Sequence, residues 1–329
     1  MEFFLPFAIK PLVHKITYKY KLLMMGSCFS TEIGARLEQL KFDILQNPTG
    51  IIYHPLVISE VLIRIVKNHL FTPEDLFEET GIYHSWHHHS SFSGTNKDAV
   101  LENMNREIQK AHTFLKEAQF LFITPATSYG YFLKKNGKIV ANCHKMPASI
   151  FEKKLVFAKE IKTSLSNALT EVRKFNNNIQ IIFTISPVRH LRDGVVENNR
   201  SKAEVISAVN AIIDEGLGSY FPSYELVNDV LRDYRFFKED FAHPNASAIS
   251  FVLEKFIEYA IDAESIKILY RVEEIFESMH HQPKFPGTDE HIRFARQQLK
   301  KVEELKEEYP FLNLDSATGY FQQIIQHDS

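Results

Sequence analysis

Cysteine is nearly absent, with Cys28 and Cys143 the two thiols in 329 residues. Two thiols make neither a disulfide framework nor a zinc finger or ribbon, and they fit a reducing compartment. Long apolar runs are also lacking. None approaches the ~18 residues that span a bilayer, and Lys10, His14, Lys15 and Lys19 interrupt the stretch where an export leader needs its apolar region. The expected location is the cytoplasm, with no membrane span. Neither sign of charge dominates: 38 Lys and Arg face 41 Asp and Glu, for a formal net charge of −3. With no basic block, no nucleic-acid partner is expected. No Gly-x-Gly-x-x-Gly or Walker pattern follows an apolar run, so no cofactor is expected. What the chain does have is 44% hydrophobic residues and 27 Phe, which excludes disorder and supplies a large core or an apolar acyl pocket.

Short apolar runs alternate with longer stretches of helical period, the sequence form of a parallel α/β sheet. Strands are expected at Leu22–Met25, Phe42–Leu45, Phe120–Ile123 and Ile179–Ile185. Helices are expected through Ile33, Leu37 and Leu40, then at Pro55–His69, Lys97–Ala118, Phe151–Phe175, Ser201–Glu215 and Asn245–Ile261, with Asn245 and Ser247 as candidate caps. Asn136-Gly137 between two alternating runs predicts a hairpin over Tyr131–Asn142. From about Ala263 the chain turns to charged amphipathic helices, Ile266–Met279 and Asp289–Tyr309, joined by the turn-rich stretch from Gln282 to Gly287. The expected division is an α/β domain over 1–262 and a helical extension over 263–329, the latter a candidate homodimerisation element.

In an open parallel sheet, ligands sit beyond the C-terminal strand ends, so residues just after each apolar run carry the chemistry. After the first run stand Ser27 and Cys28, at a turn into a helix whose free N–H groups can bind an oxyanion and lower a thiol pKa. Asn47 and Gly50 follow the second run; Thr124, Thr127 and Ser128 follow the third. Asp240-x-x-His243 precedes the last helix of the domain. That spacing lets a carboxylate hold the imidazole Nδ1–H and leaves Nε2 to take a proton from a nucleophile, so the set reads as an acyl-transfer triad. Arg189 is a candidate fork for a substrate carboxylate or phosphate, or a partner of Asp193 or Glu197 at the sheet edge. Arg232, Asp233 and Arg235 read as an ion-pair network beside the triad loop. The run Tyr83 to Ser90 holds His84, His87, His88 and His89, but no nearby Cys, Asp or Glu completes a metal set, so no metal site is assigned.

Met25-Gly26-Ser27-Cys28-Phe29-Ser30 resembles the signature of the GSCFA family, whose proteins are similar to SGNH/GDSL-type hydrolases. Further blocks follow in family order: Asn47-Pro48-Thr49-Gly50, Ala141-Asn142-Cys143-His144-Lys145, Ser186-Pro187-Val188-Arg189-His190, Ser201-Lys202-Ala203, Leu231-Arg232-Asp233-Tyr234-Arg235-Phe236 and Asp240-x-x-His243-Pro244. They cover roughly residues 20 to 260. The resemblance implies a flavodoxin-like SGNH three-layer α/β/α sandwich with ester or acyl-group chemistry, His243 as base and Asp240 as its orienting acid. Against the Gly-Asp-Ser-Leu block, Gly26 matches the glycine, Ser27 falls on the aspartate and Cys28 on the serine, which ranks Cys28 ahead of Ser27 as nucleophile. Gly50 or the Asn47 side chain is the implied second oxyanion donor. Ser128 stands where a third-block asparagine belongs, and Asn142 and His144 are candidate replacements.

The expected activity is therefore a hydrolase or acyltransferase acting on an ester, thioester or acylated carbohydrate, its substrate a small molecule or a glycan or lipid ester. The alternative is a non-catalytic glycan- or lipid-binding module on the same scaffold, favoured by the altered third block.

Overall fold

Every second residue of the central strands points to one side of the sheet, and both sides are apolar, which is what burial on two faces demands. The computed structural model describes residues 5–281 and 283–326; the expected turn at Gln282 lies in part outside the described residues. In chain order the elements are β1 (Lys21–Gly26), α1 (Cys28–Gln39), β2 (Asp43–Gln46), α2 (Pro55–Val66), β3 (Leu76–Glu79), β4 (Ile82–Ser85), α3 (Lys97–Glu117), β5 (Phe120–Thr124), β6 (Tyr129–Leu133), β7 (Phe151–Leu155), α4 (Ala158–Phe175), β8 (Gln180–Phe183), α5 (Val195–Asp214), β9 (Ser219–Tyr220), α6 (Ser223–Glu225), α7 (Ala246–Ala260), α8 (Ala263–His280), α9 (Asp289–Glu308) and α10 (Asp315–Gln326).

Five strands form an all-parallel sheet in the order β2-β1-β5-β8-β9, the flavodoxin-like winding with its switch point between β1 and β5. Leu23 and Met25, Leu121 and Ile123, and Ile181 and Phe183 face a core built by α2, α3, α4 and α5. Their neighbours Leu22, Met24, Phe120, Phe122 and Ile182 are equally buried on the opposite face, where Phe122 meets Phe256 of α7 edge-on at 5.6 Å between ring centroids. Helices thus cover both faces, and the expected three-layer α/β/α sandwich is the fold. Fully burying each such Leu, Ile or Phe contributes ~1.5–3 kcal/mol.

Two compact units divide the chain. One holds Met1–His14, Lys19–Arg36 and Asp43–Ala260; the other holds Lys15–Tyr18, Leu37–Phe42 and Ile261–Ser329. Within the second, α8, α9 and α10 share the buried residues Leu269, Val272, Val302, Leu305 and Phe321, while Tyr18 stacks on Phe42 at 4.2 Å and donates its hydroxyl to the Leu40 carbonyl. Helix α10 is an element that the sequence reading did not anticipate.

Two local expectations are corrected. Residues 151–155 form β7, not the start of a helix, and β6 pairs antiparallel with β7 rather than with the segment after Asn136-Gly137. That segment returns beside β6 through one bridge, Phe132 to Ile139, so the turn exists but the ladder goes to the later strand. Alternation across Phe151–Leu155 was masked by its proximity to a strongly helical stretch. Among the described residues no helix is long and apolar enough to cross a membrane.

Candidate active site

The geometry starts with Gly26, the last residue of β1. Its φ is +142°, and a Cβ there would lie 2.3 Å from the Thr124 carbonyl oxygen, so a glycine is required for β1 and β5 to stay this close while the chain turns into α1. The Ser27 carbonyl accepts from the backbone of Ser30 and Thr31 and from the Ser30 hydroxyl, which starts α1 with Cys28 as its first residue. Ser27 is 2% exposed and its Oγ is buried with no hydrogen-bond partner, whereas Cys28 is partly exposed. Burial pushes the Cys28 thiol above its usual range, while the N–H groups of Cys28 and Phe29 at the helix start favour the thiolate.

The Asp240–His243 pair forms as its spacing predicts. His243 Nδ1 lies 2.7 Å from Asp240 Oδ2, and Oδ1 of the same carboxylate accepts the N–H groups of Ala242 at 2.9 Å and His243 at 3.0 Å. Those two backbone donors, and then the imidazole, hold the Asp240 pKa down at about 2. With Nδ1–H given to the carboxylate, Nε2 of the neutral ring is an acceptor.

Next to this loop, Lys238 Nζ lies 3.9 Å from Glu32 Oε1 of α1, the helix that Cys28 begins, and Lys238 also donates its N–H to the His243 carbonyl at 2.7 Å. The charges of Glu32 and Lys238 both act on the Cys28 thiol. No hydrogen bond joins His243 to Cys28 or Ser27 among the described residues. Arg189 supports the loop from behind: it donates to the Phe241 carbonyl at 3.3 Å and its guanidinium lies 4.2 Å from the Phe237 ring centroid. Its expected partners are engaged elsewhere, Asp193 with Lys153 and Glu197 with Arg200. Asp233 pairs with Arg235 at 3.4 Å.

Asn47 and Gly50 serve the backbone. The Asn47 side chain accepts from Gly26 N–H at 2.8 Å and donates to Thr31 Oγ1 at 2.9 Å, and the Gly50 N–H goes to the Asn47 carbonyl at 2.7 Å. Asn142 accepts the His144 N–H and lines a cavity of about 540 Å³. His144 is buried, donates through Nε2 to the Ser85 carbonyl at 2.8 Å, and packs against Trp86 and His84. The histidine run is likewise absorbed by packing: His88 is fully buried edge-on to Phe71, and burial pushes His87 down to about 4. Among the described residues no three His, Cys, Asp or Glu side chains converge as a metal-binding group.

Tyr53, Lys202 and Arg192 were not assigned to the site from sequence; His190, which the sequence offers beside Arg189 as a candidate for a substrate carboxylate or phosphate, stands with them. Tyr53 lines the cavity, and its hydroxyl interacts electrostatically with the Cys28 and Cys143 thiols, Tyr131 and Arg192. His190 packs 5.2 Å from the Tyr53 ring, its Nε2 is buried without a partner, and burial, Lys202 and His243 press its pKa down to about 4. Lys202 is 1% exposed, donates to the Ser186 carbonyl at 2.5 Å, and is pushed down to about 7 by burial, against the opposing pull of Cys28. Arg192 lines the same cavity. A signal for Lys202 was present, since it shares the α5 face of Val205 and Val209 at i+3 and i+7. Tyr53 lies in a loop and Arg192 in a single 3-10 turn, Leu191–Asp193, so neither carries a periodic signal.

A parallel α/β sandwich with a thiol at a helix N-terminus and a carboxylate–imidazole pair in a loop tied to that helix defines the class. The chain belongs to the GSCFA family: the pattern described as GSCFA family matches residues 21–256, and that described as GSCFA domain protein, C-terminal domain, matches residues 272–327. No curated protein matches. Among solved structures, an acetyl xylan esterase (Est2A) from the rumen bacterium Butyrivibrio proteoclasticus aligns at a TM-score of 0.38 and 13% identity, covering 74% of this chain and 64% of that one.

Proposed function

We propose that the protein is an ester hydrolase or acyltransferase working through Cys28, His243 and Asp240. The observation that carries this reading is the Asp240–His243 hydrogen bond at 2.7 Å, in a loop whose neighbour Lys238 lies within 3.9 Å of Glu32 on the helix that Cys28 begins. Cys28 Sγ attacks the acyl carbon of an ester or acylated carbohydrate while His243 Nε2 takes the thiol proton, and the N–H groups of Cys28 and Phe29 receive the developing oxyanion. The C–O bond breaks as the imidazolium returns its proton to the leaving alcohol, giving a thioester on Cys28. Water or an acceptor alcohol, deprotonated by His243, then attacks the thioester carbonyl and frees the thiol. Because burial holds the thiol protonated near neutral pH, a base is needed and His243 supplies it.

Intact mass after brief exposure to p-nitrophenyl acetate tests the reading on wild type, Cys28→Ala, Ser27→Ala and His243→Ala. The expected result is one acetyl adduct that vanishes in Cys28→Ala, persists in Ser27→Ala and builds more slowly without His243. An adduct unaffected by Cys28→Ala overturns the assignment. A second reading, a glycan- or lipid-binding module, is favoured by the engagement of the Gly50 N–H with the Asn47 carbonyl and of the Asn47 side-chain N–H with Thr31 Oγ1, which turns both away from an oxyanion hole. Ligand binding without any adduct or ester turnover in wild type would select it.

A further inference from the structure

The cavity of about 540 Å³ lined by Ile52 and Tyr53 is chemically lopsided. Its walls include the rings of Tyr53, Tyr129, Tyr131 and Phe151, and two cations, Lys145 and Arg192, but no aspartate or glutamate. Both cations are exposed, and neither has a carboxylate partner among the described residues. The nearest acid in sequence, Asp193, is held by Lys153, which also lies 4.7 Å from the Tyr129 ring centroid. An exposed cation on a surface is ordinary; two lining one aromatic cavity with every acid excluded make a local positive potential that a neutral guest does not use. The cavity adjoins the turn that carries Cys28, because Ile52 in its wall donates its N–H to the Gly26 carbonyl at 3.2 Å, and the neighbouring Tyr53 ring packs on His190. Tyrosine rings offer an apolar face for the C–H side of a sugar and hydroxyls for its O–H groups, and a volume of this size suits one or two rings.

We propose that this cavity binds an anionic sugar, whose carboxylate or phosphate is taken by Arg192 and Lys145 while its ring lies among Tyr53, Tyr129, Tyr131 and Phe151. The proposal deepens the acyl-transfer reading, since the bound sugar would be the alcohol part of the ester presented to Cys28. Arg192 suits this role because its planar fork meets two oxygens of a carboxylate or phosphate at once, and Lys145 adds a point charge.

Calorimetric titration with free D-glucuronate, glucose 6-phosphate and glucose separates the cases without needing turnover. Wild type is expected to bind one of the anionic sugars at least about ten-fold more tightly than glucose, and the better of the two identifies the anion. Arg192→Gln and Lys145→Gln are each expected to weaken that anionic sugar by roughly ten-fold while leaving glucose unchanged. Circular dichroism on the variants excludes misfolding as the cause. Glucose binding as tightly as both anions, no binding of any of the three, or anion binding undiminished in the double variant overturns the proposal. Anionic-sugar binding in a wild-type protein that forms no acetyl adduct sinks the acyl-transfer reading and leaves the anion site standing.

Discussion

Asp240 accepts two backbone N–H groups and one imidazole N–H, so its carboxylate stays charged to about pH 2. The stabilisation of the loop by that charge is present above the ordinary aspartate value near 4 and is lost as pH falls through the folded value. Asp240→Asn keeps the shape but gives the imidazole a neutral, weaker orienting group, and ester turnover is expected to fall by roughly 10²–10⁴. Turnover within a few-fold of wild type would remove Asp240 from the mechanism. Lys202 is the opposite case, a cation folded where only its neutral form is comfortable. Its folded value near 7 lies below the unfolded one, so between pH 7 and about 10.5 the unfolded chain binds the extra proton and stability rises with pH. Lys202→Met should therefore stabilise the protein by on the order of 1–4 kcal/mol below pH 7, with the gain fading toward pH 10. Urea midpoints at pH 6 and pH 9.5 measure it, and an equal shift at both would contradict the linkage.

At the scale of elements, the decisive joint is β1 to α1. Three strand-end features meet there: Gly26 against Thr124, the Asn47 amide on Gly26, and the Ile52 N–H on the Gly26 carbonyl. Gly26→Ala places a Cβ into a backbone oxygen at a φ that L residues avoid, and is expected to cost about 3 kcal/mol or more. Gly137→Ala, whose φ is +68° but whose Cβ would meet nothing within 4 Å, should cost only about 1 kcal/mol. Thermal melts of the pair compare them, and equal losses would mean that the β1–β5 approach is not what Gly26 protects. The turn signals were legible because each is local: Asn245 caps α7 as expected, accepting from Ala248, and Asn96 caps α3 by accepting from Ala99. Strand pairing was less so. The partner of β6 is set by register across the seventeen residues between Leu133 and Phe151, and Asn136-Gly137 predicted the turn without deciding which later segment fills the edge.

At the scale of the whole molecule, stability rests on the α2–α5 layer packed against one sheet face, where Leu165, Leu169 and Ile58 are wholly buried. Leu165→Ala is expected to cost about 2–5 kcal/mol, read from the shift of the urea midpoint, with the denaturant slope unchanged. Fold class was legible because a buried parallel sheet forces continuous apolar strands between amphipathic helices, and that pattern survives in one dimension. The carboxylate–imidazole pair was legible for the same reason, since three residues of separation in one loop suffice to join Asp240 to His243.

The sequence by itself determined the alternation of parallel strands and helices, the turn after β1, the capped helices and the Asp-His pair, because each depends on residues close in the chain or on a period. Only the tertiary structure decided what gathers at the strand ends near Cys28. Tyr53 comes from the segment after β2, His190 and Arg192 from the segment after β8, and Lys202 from α5; they meet because parallel strands deliver their C-terminal ends to one edge. It also decided that Asn47 and Gly50 brace the β1–α1 turn and that His84, His87 and His88 pack against aromatic rings, since a side chain's partner is fixed by the neighbour folding brings to it, not by its own chemistry.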